Sequence, residues 1–215
     1  MENLINYEYI TEYIRNVIPD SSPEMKSMEE YANSNFIPII FKEVKRFFEF
    51  LLPVVNPGKI LEIGTAIGYS AMLFATVCKE AHITTIEIDE KRFEEAYENI
   101  KKAGLSDRIH LILDDAANVL PYLKTTYDMI FIDAAKGQYH DYYICAKKLL
   151  NPGGILIFDN ILFKGLPANK NLVNHKHRTI ANNLISFNYE VMNDADFTSS
   201  ILPLGDGMII ARKEK

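Results

Sequence analysis

The pattern of hydrophobic and polar positions divides the chain into a helical N-terminal part and an alternating remainder. Apolar side chains at helical spacing predict helices over residues 3–18, 22–33 and 38–52. Ser22 followed by Pro23 is typical of a helix start. Prolines mark the expected ends of the first and third helices, at Pro19 and Pro53. We expect these helices, within residues 1–52, to pack on the core that follows.

From residue 59 onward, short apolar runs alternate with helical segments. The predicted strands are 59–64, 82–88, 108–113, 127–134, 155–160, 189–194 and 206–212, with a turn at Pro152-Gly153-Gly154 before the fifth. The predicted helices between them are 69–79, 90–103, 116–123, 138–150 and, approximately, 175–187. Apolar strands joined through helices imply a parallel sheet that is covered on both faces. We therefore predict an α/β fold with a Rossmann-like, doubly wound, seven-stranded and mostly parallel sheet, in a single domain over residues 1–215.

Ligands of such sheets bind beyond the carboxyl ends of the strands, so polar residues at these ends are candidates for function. The first strand contains Glu62, and Gly64 and Gly68 follow it, four residues apart. Glycines there let the backbone approach a ligand, or simply form a tight turn. Glu87 ends the second strand about 20 residues further on, where a carboxylate accepts hydrogen bonds from ribose hydroxyls. The neighbouring Asp89 is interpreted as a helix cap.

Polar side chains also follow the next three strands. After the third strand, Asp115 either contacts an adenine amino group or caps the next helix. The fourth strand ends in Asp133, and the fifth ends in Asp159 and Asn160. Two carboxylates and an amide oxygen form a partial shell for Mg²⁺, although both acids alternatively cap loops. Lys136 is a candidate general base at this point, although most lysines are simply solvated.

Composition narrows the classes of protein. A chain of 215 residues with 48% hydrophobic and 24% charged residues is typical of a globular domain. Because no apolar run reaches about 20 residues, no membrane span is expected. The N-terminus lacks the basic start of a secretory signal and the two cysteines stand alone, so a cytoplasmic location is expected. The absence of an HExxH motif argues against a zinc hydrolase.

Charge is distributed unevenly along the chain. The formal net charge is −6, which on average disfavours nonspecific binding to nucleic acid. Residues 161–189 contain no Asp or Glu and carry a charge of +4, which leaves −10 for the rest of the chain. The four cations of this segment are Lys164, Lys170, Lys176 and Arg178. The segment is either a solvated loop or a basic edge next to the candidate site.

The order of the motifs resembles a known family. ExGxxxGYS, an acid after the second strand, DAAK and then DN are similar to the magnesium-dependent, S-adenosylmethionine-dependent O-methyltransferases of the catechol O-methyltransferase type. The resemblance covers roughly residues 36–212. Within that family, the stretches ILEIGTAIGYSA, IFIDAAKGQY, DNILFKGL and LPLGDGM most resemble the bacterial tRNA 5-hydroxyuridine methyltransferases. The resemblance implies the class I S-adenosylmethionine methyltransferase fold, with S-adenosylmethionine and Mg²⁺ as cofactors.

The resemblance also implies roles for individual residues. Those implied to contact the cofactor are Ile40, Glu62, Gly64, Gly68, Tyr69, Ser70, Glu87, Asp115, Ala116 and Asp133. Asp133, Asp159 and Asn160 are implied to bind Mg²⁺, and Lys136 to act as general base. Asp114 stands where the family often has glycine, which leaves open which of Asp114 and Asp115 faces adenine. Ala134 replaces a bulkier residue of the animal catechol enzymes.

The implied reaction is methyl transfer to an oxygen, and the acceptor has to be chosen separately. Catechol and 5-hydroxyuridine both offer two adjacent oxygens to a metal, so the motifs alone do not choose between them. Subgroup resemblance and the basic segment favour 5-hydroxyuridine at the wobble position of tRNA, contacted by Lys164, Lys170, Lys176 and Arg178, with Phe163 as a candidate for base stacking. The nearest alternative is an O-methyltransferase for small catechols or vicinal diols.

Two further alternatives belong to other classes of protein. A nucleotide-binding oxidoreductase is disfavoured because the glycines lack the GxGxxG spacing, and a non-enzymatic binding module leaves the acids and Lys136 without a purpose. The family resemblance also implies a homodimer, for which the apolar first helix is the expected contact surface.

Overall fold

The computed structural model describes residues 5–173 and 175–215, without the side chain of Lys170. The strands are β1 Lys59–Ile63, β2 His82–Glu87, β3 Ile109–Leu113, β4 Tyr127–Ile132, β5 Leu150–Phe158, β6 Phe197–Leu202 and β7 Met208–Lys213. The helices are α1 Glu8–Val17, α2 Pro23–Ser34, α3 Lys42–Val55, α4 Tyr69–Val77, α5 Glu90–Lys102, α6 Ala116–Val119, α7 Tyr139–Leu149 and α8 Arg178–Met192. Short 3₁₀ turns lie at Leu120–Tyr122, Lys136–Gln138, Phe163–Gly165, Lys170–Leu172 and His175–His177.

The strands form one seven-stranded sheet in the order β3-β2-β1-β4-β5-β7-β6. Strands β1 to β5 pair in parallel, whereas β7 pairs antiparallel with both β5 and β6. The sheet order reverses between β1 and β4, which is the position where doubly wound sheets hold their ligands. The predicted fold class is therefore confirmed.

Apolar side chains cover both faces of the sheet. On one face, Phe48 of α3, Phe74 of α4 and Phe131 of β4 pack edge to face, with ring centroids 4.9–5.7 Å apart. On the other face, Tyr139, Phe158 and Phe187 form a second aromatic group. Burial on both faces explains why the strands read as almost continuous apolar runs.

The helix ends confirm two predicted N-terminal caps and correct one predicted boundary. Ser22 Oγ accepts a hydrogen bond from the Met25 amide at the start of α2, and Asp89 caps α5 through the Arg92 amide. Pro53, however, lies inside α3, which was predicted to end there. Pro53 lacks the amide that would bond to the Glu49 carbonyl, and the packing of Leu52 and Val55 on the core keeps the last turn helical despite this loss. The helix ends at Asn56, whose φ of 48° is left-handed.

Two secondary-structure predictions in the C-terminal half of the chain are wrong. Residues 189–192 belong to α8 rather than to a strand at 189–194, and the sixth strand follows at Phe197. Residues 189–192 are helical rather than extended because Val191 continues the buried face formed by Leu184 and Phe187, whereas Tyr189 is exposed to solvent.

The predicted turn at Pro152-Gly153-Gly154 lies inside β5 instead. The pairing of β5 with β4 is irregular there, because Tyr127 aligns with Leu150 and Met129 aligns with Ile155. The extra residues on β5 form a bulge, and Gly153 accommodates it with a φ of 77°.

Helix α1 leaves several apolar side chains exposed, among them Tyr9, Tyr13 and Val17. The homodimer contact assigned to this helix stays a prediction. Within the described residues, no helix is both long and apolar enough to cross a membrane.

The aromatic group on the first face gives a prediction for stability. Phe48→Ala is expected to lower the free energy of unfolding by about 3–5 kcal/mol, because it leaves a cavity between Phe74 and Phe131. Phe50→Ala, on the exposed face of the same helix, should change it by less than about 0.5 kcal/mol. Urea unfolding followed by circular dichroism measures both, and equal losses would contradict this packing argument.

Candidate active site

Strand register brings four of the candidate residues into one row. Ile63 of β1 aligns with Ile86 of β2 and Ile132 of β4, and Ile132 aligns with Phe158 of β5. The residues that follow these positions are Glu87, Gly64, Asp133 and Asp159, in that order across the sheet. The row therefore stands at the carboxyl edge, where the sheet order reverses.

Gly64 is required in this row by the backbone of the neighbouring strand. Its φ is 93°, and a Cβ built on it would lie 2.1 Å from the Asp133 carbonyl oxygen. Gly68 has a φ of 84° at the start of α4, and this left-handed backbone, rather than lack of space, is what favours glycine there. Gly64 thus has a packing reason and Gly68 a backbone reason, and neither reason needs a ligand.

Glu87 ties the turn after β1 to the end of β2. Its Oε2 accepts hydrogen bonds from the Thr65 and Ala66 amides at 3.1 and 2.7 Å. Its Oε1 accepts from the Ile88 and Asp89 amides at 3.0 and 2.9 Å. These bonds hold the carboxylate in a fixed orientation at the wall of the cleft. Its contact with ribose stays a prediction.

Glu62 lies under this turn and is fully buried. Its Oε2 accepts a hydrogen bond from Thr85 Oγ1 at 2.6 Å, and Thr85 is bonded in turn to Thr65 Oγ1. Its Oε1 has no hydrogen-bond partner within the described structure. Burial raises the pKa of Glu62 to about 8, against the hydrogen bonds from Ser70 and Thr85 that lower it. The side chain is therefore largely neutral at pH 7.

A cleft of about 1040 Å³ opens above the row. Fifteen of the residues singled out in the sequence line it, namely Ile40, Gly64, Tyr69, Ser70, Glu87, Asp114, Asp115, Ala116, Asp133, Ala134, Lys136, Asp159, Asn160, Phe163 and Lys164. Glu62 and Gly68 lie behind its wall rather than in it. The cleft thus collects residues from both the predicted cofactor end and the predicted metal end.

Both acids after β3 stand at the cleft wall. Asp115 caps α6 through the Ala117 amide, while Asp114 accepts hydrogen bonds from the Asp115 amide and from Asn118 Nδ2. Each carboxylate thus has a structural partner and also lines the cleft. Which of them faces adenine is left open by this arrangement.

Asp133, Asp159 and Asn160 meet at the other end of the cleft. Asn160 Nδ2 donates to Asp133 Oδ1 at 2.9 Å, and the Asn160 amide donates to Asp159 Oδ1 at 2.7 Å. Burial raises the pKa of Asp133, and burial together with the charge of Asp133 raises the pKa of Asp159 well above its usual range. Two buried carboxylates that repel each other favour a bound cation.

This donor set fits Mg²⁺, which prefers oxygen ligands and leaves positions for water and substrate. The fit depends on the amide oxygen of Asn160, because no three His, Cys, Asp or Glu side chains among the described residues form a metal-binding group.

Lys136 lies in the 3₁₀ turn after β4, close to this acidic group. Its Nζ is 5.5 Å from the centre of the Phe163 ring. The charge of Lys136 also lowers the pKa values of Asp133, Asp159 and Asp206, against the effect of their burial. Lys136 therefore faces both the proposed metal ligands and an aromatic wall.

The structure adds cleft residues that the sequence analysis missed. Asp206 precedes β7, and because β7 runs antiparallel to β5, its start lies at the edge where the parallel strands end. Arg15 of α1 reaches the cleft and forms a two-pronged ion pair with the buried Glu43. Glu29 of α2 accepts a hydrogen bond from Tyr69 Oη at 2.5 Å. A signal for Asp206 existed, since it is an acid between two glycines before a buried strand.

The basic segment begins at the cleft and extends away from it. Lys164 lines the cleft, whereas Lys176 and Arg178 are exposed at the start of α8 and do not line it. The side chain of Lys170 lies outside the described part of the chain. Phe163 stands at the cleft wall and packs edge to face against His177, with ring centroids 5.7 Å apart.

Comparison with known proteins agrees with this geometry. The O-methyltransferase family model matches residues 20–214. The caffeoyl-CoA O-methyltransferase of Stellaria longipes is 29% identical over 226 residues, which covers 98% of this chain and 92% of that protein. The catechol O-methyltransferase of Niastella koreensis is 34% identical over 131 residues, or 59% of each chain. The structure of the SAH-bound methyltransferase PaMTH1 of Podospora anserina superposes with a TM-score of 0.87 at 26% identity, covering 97% of this chain and 95% of that one.

The fold and the cleft are thus those of a class I S-adenosylmethionine-dependent methyltransferase. The chain belongs to the O-methyltransferase family, and it is an S-adenosylmethionine-dependent O-methyltransferase of the caffeoyl-CoA and catechol type.

The buried Glu62 gives a prediction about pH. The folded chain keeps the Glu62 proton up to about pH 8, whereas the unfolded chain releases it near pH 4.5, so raising the pH between these values lowers the free energy of unfolding. Glu62→Gln cannot ionise, and we expect its stability to fall less over this range. Urea unfolding at about pH 5 and about pH 8 measures the difference. Glu98→Gln, on the exposed face of α5, is the control, and a Glu62→Gln decline as steep as wild type would refute the assignment.

Proposed function

We propose that this enzyme transfers the methyl group of S-adenosylmethionine to O5 of 5-hydroxyuridine at the wobble position of tRNA, which yields 5-methoxyuridine. The observation that carries the proposal is the position of the acid-free segment 161–189. It leaves β5 directly beside Asp159 and Asn160, so its cations start at the metal end of the cleft and continue over the surface.

Such a basic edge suits a polyanion of which one nucleotide enters the cleft while its neighbours stay on the surface. Lys164 would lie beside the modified nucleotide, and the exposed Lys176 and Arg178 would contact phosphates on either side. Unpaired loop bases are the ones that proteins stack on aromatic side chains, and Phe163 offers such a face at the cleft wall. The similarity of DNILFKGL and LPLGDGM to the tRNA-modifying subgroup supports the same acceptor.

The chemistry assigned to the chain's own residues is acid–base and positional. Asp133, Asp159 and Asn160 would hold Mg²⁺, which supplies electrostatic stabilisation of an ionised acceptor oxygen when bound. Lys136 Nζ accepts the proton of the acceptor hydroxyl. The oxygen then attacks the methyl carbon, the bond from carbon to sulfur breaks, and S-adenosylhomocysteine remains. Most of the rate gain comes from holding the two substrates in line.

A small-molecule acceptor is the second candidate. The relatives named above act, by their names, on caffeoyl-CoA and on catechol, and their acceptors carry vicinal oxygens. The same Asp133, Asp159 and Asn160 set would serve such a ring equally well. Under this alternative the basic segment is an ordinary solvated loop.

Methyl transfer from labelled S-adenosylmethionine distinguishes the two candidates. The acceptors are tRNA that carries 5-hydroxyuridine, the same tRNA with unmodified uridine, and free catechols, each with Mg²⁺ and with chelator. We expect label in the first tRNA only, dependent on metal, and recovered as 5-methoxyuridine after digestion. Label in catechols alone would overturn the tRNA proposal and leave the small-molecule alternative.

A charge reversal in the basic segment tests the docking of RNA. Lys176→Glu with Arg178→Glu is expected to raise KM for tRNA by about tenfold or more at low salt, because it replaces two phosphate contacts with repulsion. KM for S-adenosylmethionine should not change. Initial rates over a range of tRNA concentrations measure the effect.

The matched control is Lys79→Glu with Lys102→Glu, which changes the net charge equally. Lys79 follows the C-terminal end of α4 and Lys102 is the last residue of α5, so both lie at the opposite edge of the sheet from the cleft. Equal effects of the two double variants on KM for tRNA would show that only net charge matters, against a docking role for this segment.

A further inference from the structure

The motif LPLGDGM, residues 202–208, brings Asp206 to the cleft, but the proposed reaction assigns it no role. Its centre, Gly205-Asp206-Gly207, forms the turn between β6 and β7, and both glycines have a positive φ, of 58° and 85°. A Cβ on Gly205 would lie 2.9 Å from Val44 of α3, and a Cβ on Gly207 would lie 2.3 Å from Leu162. The turn is therefore wedged between the N-terminal helices and the segment that follows β5.

Three hydrogen bonds join this turn to the segment after β5. The Ile161 amide donates to the Gly207 carbonyl at 2.9 Å, and the Leu162 amide donates to the Asp206 carbonyl at 3.1 Å. The third bond uses a side chain, since the Lys164 amide donates to Asp206 Oδ1 at 2.6 Å. Two of the three would survive any substitution at position 206, but the bond to Lys164 would not.

The bond to Lys164 holds a strained stretch of backbone. Phe163 and Lys164 have φ values of 35° and 59°, both in the left-handed region that residues with a Cβ rarely adopt. Two consecutive residues of this kind persist only where their surroundings hold them in place. The half-buried carboxylate of Asp206, which accepts a hydrogen bond from the Lys164 amide, supplies that restraint.

The restrained residue stands against the reacting end of the cleft. The Phe163 ring lies over Lys136 Nζ at 5.5 Å and lines the cleft beside Asn160. A change in the 163–164 turn would therefore move the aromatic wall that an acceptor ring meets, and would move the face against which the Lys136 amine rests.

We propose that Asp206 is a positioning residue for the acceptor side of this methyltransferase. It acts through the Lys164 amide, and thereby fixes Phe163 over Lys136. The proposal rests on the O-methyltransferase activity and on the proposed role of Lys136, but not on which acceptor is used.

Three substitutions separate the hydrogen bond from the charge. Asp206→Asn keeps an oxygen for the Lys164 amide and loses the charge, Asp206→Glu keeps the charge and displaces the oxygen, and Asp206→Ala loses both. We expect kcat/KM for the acceptor to fall by about tenfold in the Glu and Ala variants and by less than about threefold in the Asn variant. The binding constant for S-adenosylmethionine, from calorimetry, should stay at the wild-type value in all three. Asp196→Ala, at the other end of β6, is the control.

The acceptor in these assays is tRNA that carries 5-hydroxyuridine, or a free catechol if only the catechol is methylated. A failure of the tRNA proposal therefore does not remove the test. Loss in the Asn variant as large as in the Glu variant, or an unchanged Glu variant, would overturn the proposal. The comparison of Asn with Glu holds even if Asp206→Ala does not fold.

A fluorescent reporter tests the positioning without any acceptor. The chain has no tryptophan, so Phe163→Trp introduces a single reporter at the wall. In this background, Asp206→Glu and Asp206→Ala should raise the acrylamide quenching constant about twofold and shift the emission to the red, because the released turn exposes the ring. Asp206→Asn and Asp196→Ala should match the Phe163→Trp parent. Unchanged quenching in the Glu and Ala variants would refute positioning of residue 163 by Asp206.

Discussion

The close approach of β1 and β4 is the constraint on which the site depends. At the end of β1, the Asp133 carbonyl occupies the place where any side chain of residue 64 would begin, so only glycine lets the two strand ends stay paired. This pairing places Glu87, Asp133 and Asp159 at the same height along the strand direction, side by side across the sheet. A residue with a Cβ there would push the turn after β1 away from Asp133 and from the predicted metal ligands.

Buried acids dominate the electrostatics around this row. Glu62 is held largely neutral by burial, whereas Asp133 and Asp159 repel each other and carry raised pKa values. Lys136 and the amide of Asn160 offset part of that repulsion. The electrostatic environment of the site therefore favours positive charge, as both the proposed Mg²⁺ and the sulfonium of the cofactor require.

The acceptor side is assembled from parts that are distant in the chain. The segment after β5, the turn before β7 and the N-terminal helices meet around Phe163, Asp206 and Phe41. The row of Gly64, Glu87, Asp133 and Asp159 is set separately, by the pairing of β1, β2, β4 and β5.

The sequence by itself determined the sheet, most element types and the strand ends at which polar residues gather, because these depend on local periodicity and on motifs at strand ends. It placed a strand at 189–194, because a few alternating residues fit a strand as well as the end of a helix. It also ended α3 at Pro53, although packing on the core carries the helix to Val55. Asp206 and Arg15 were missed for a different reason. Their place in the cleft follows from an antiparallel strand and from the docking of α1, and only the folded chain brings residues so far apart together.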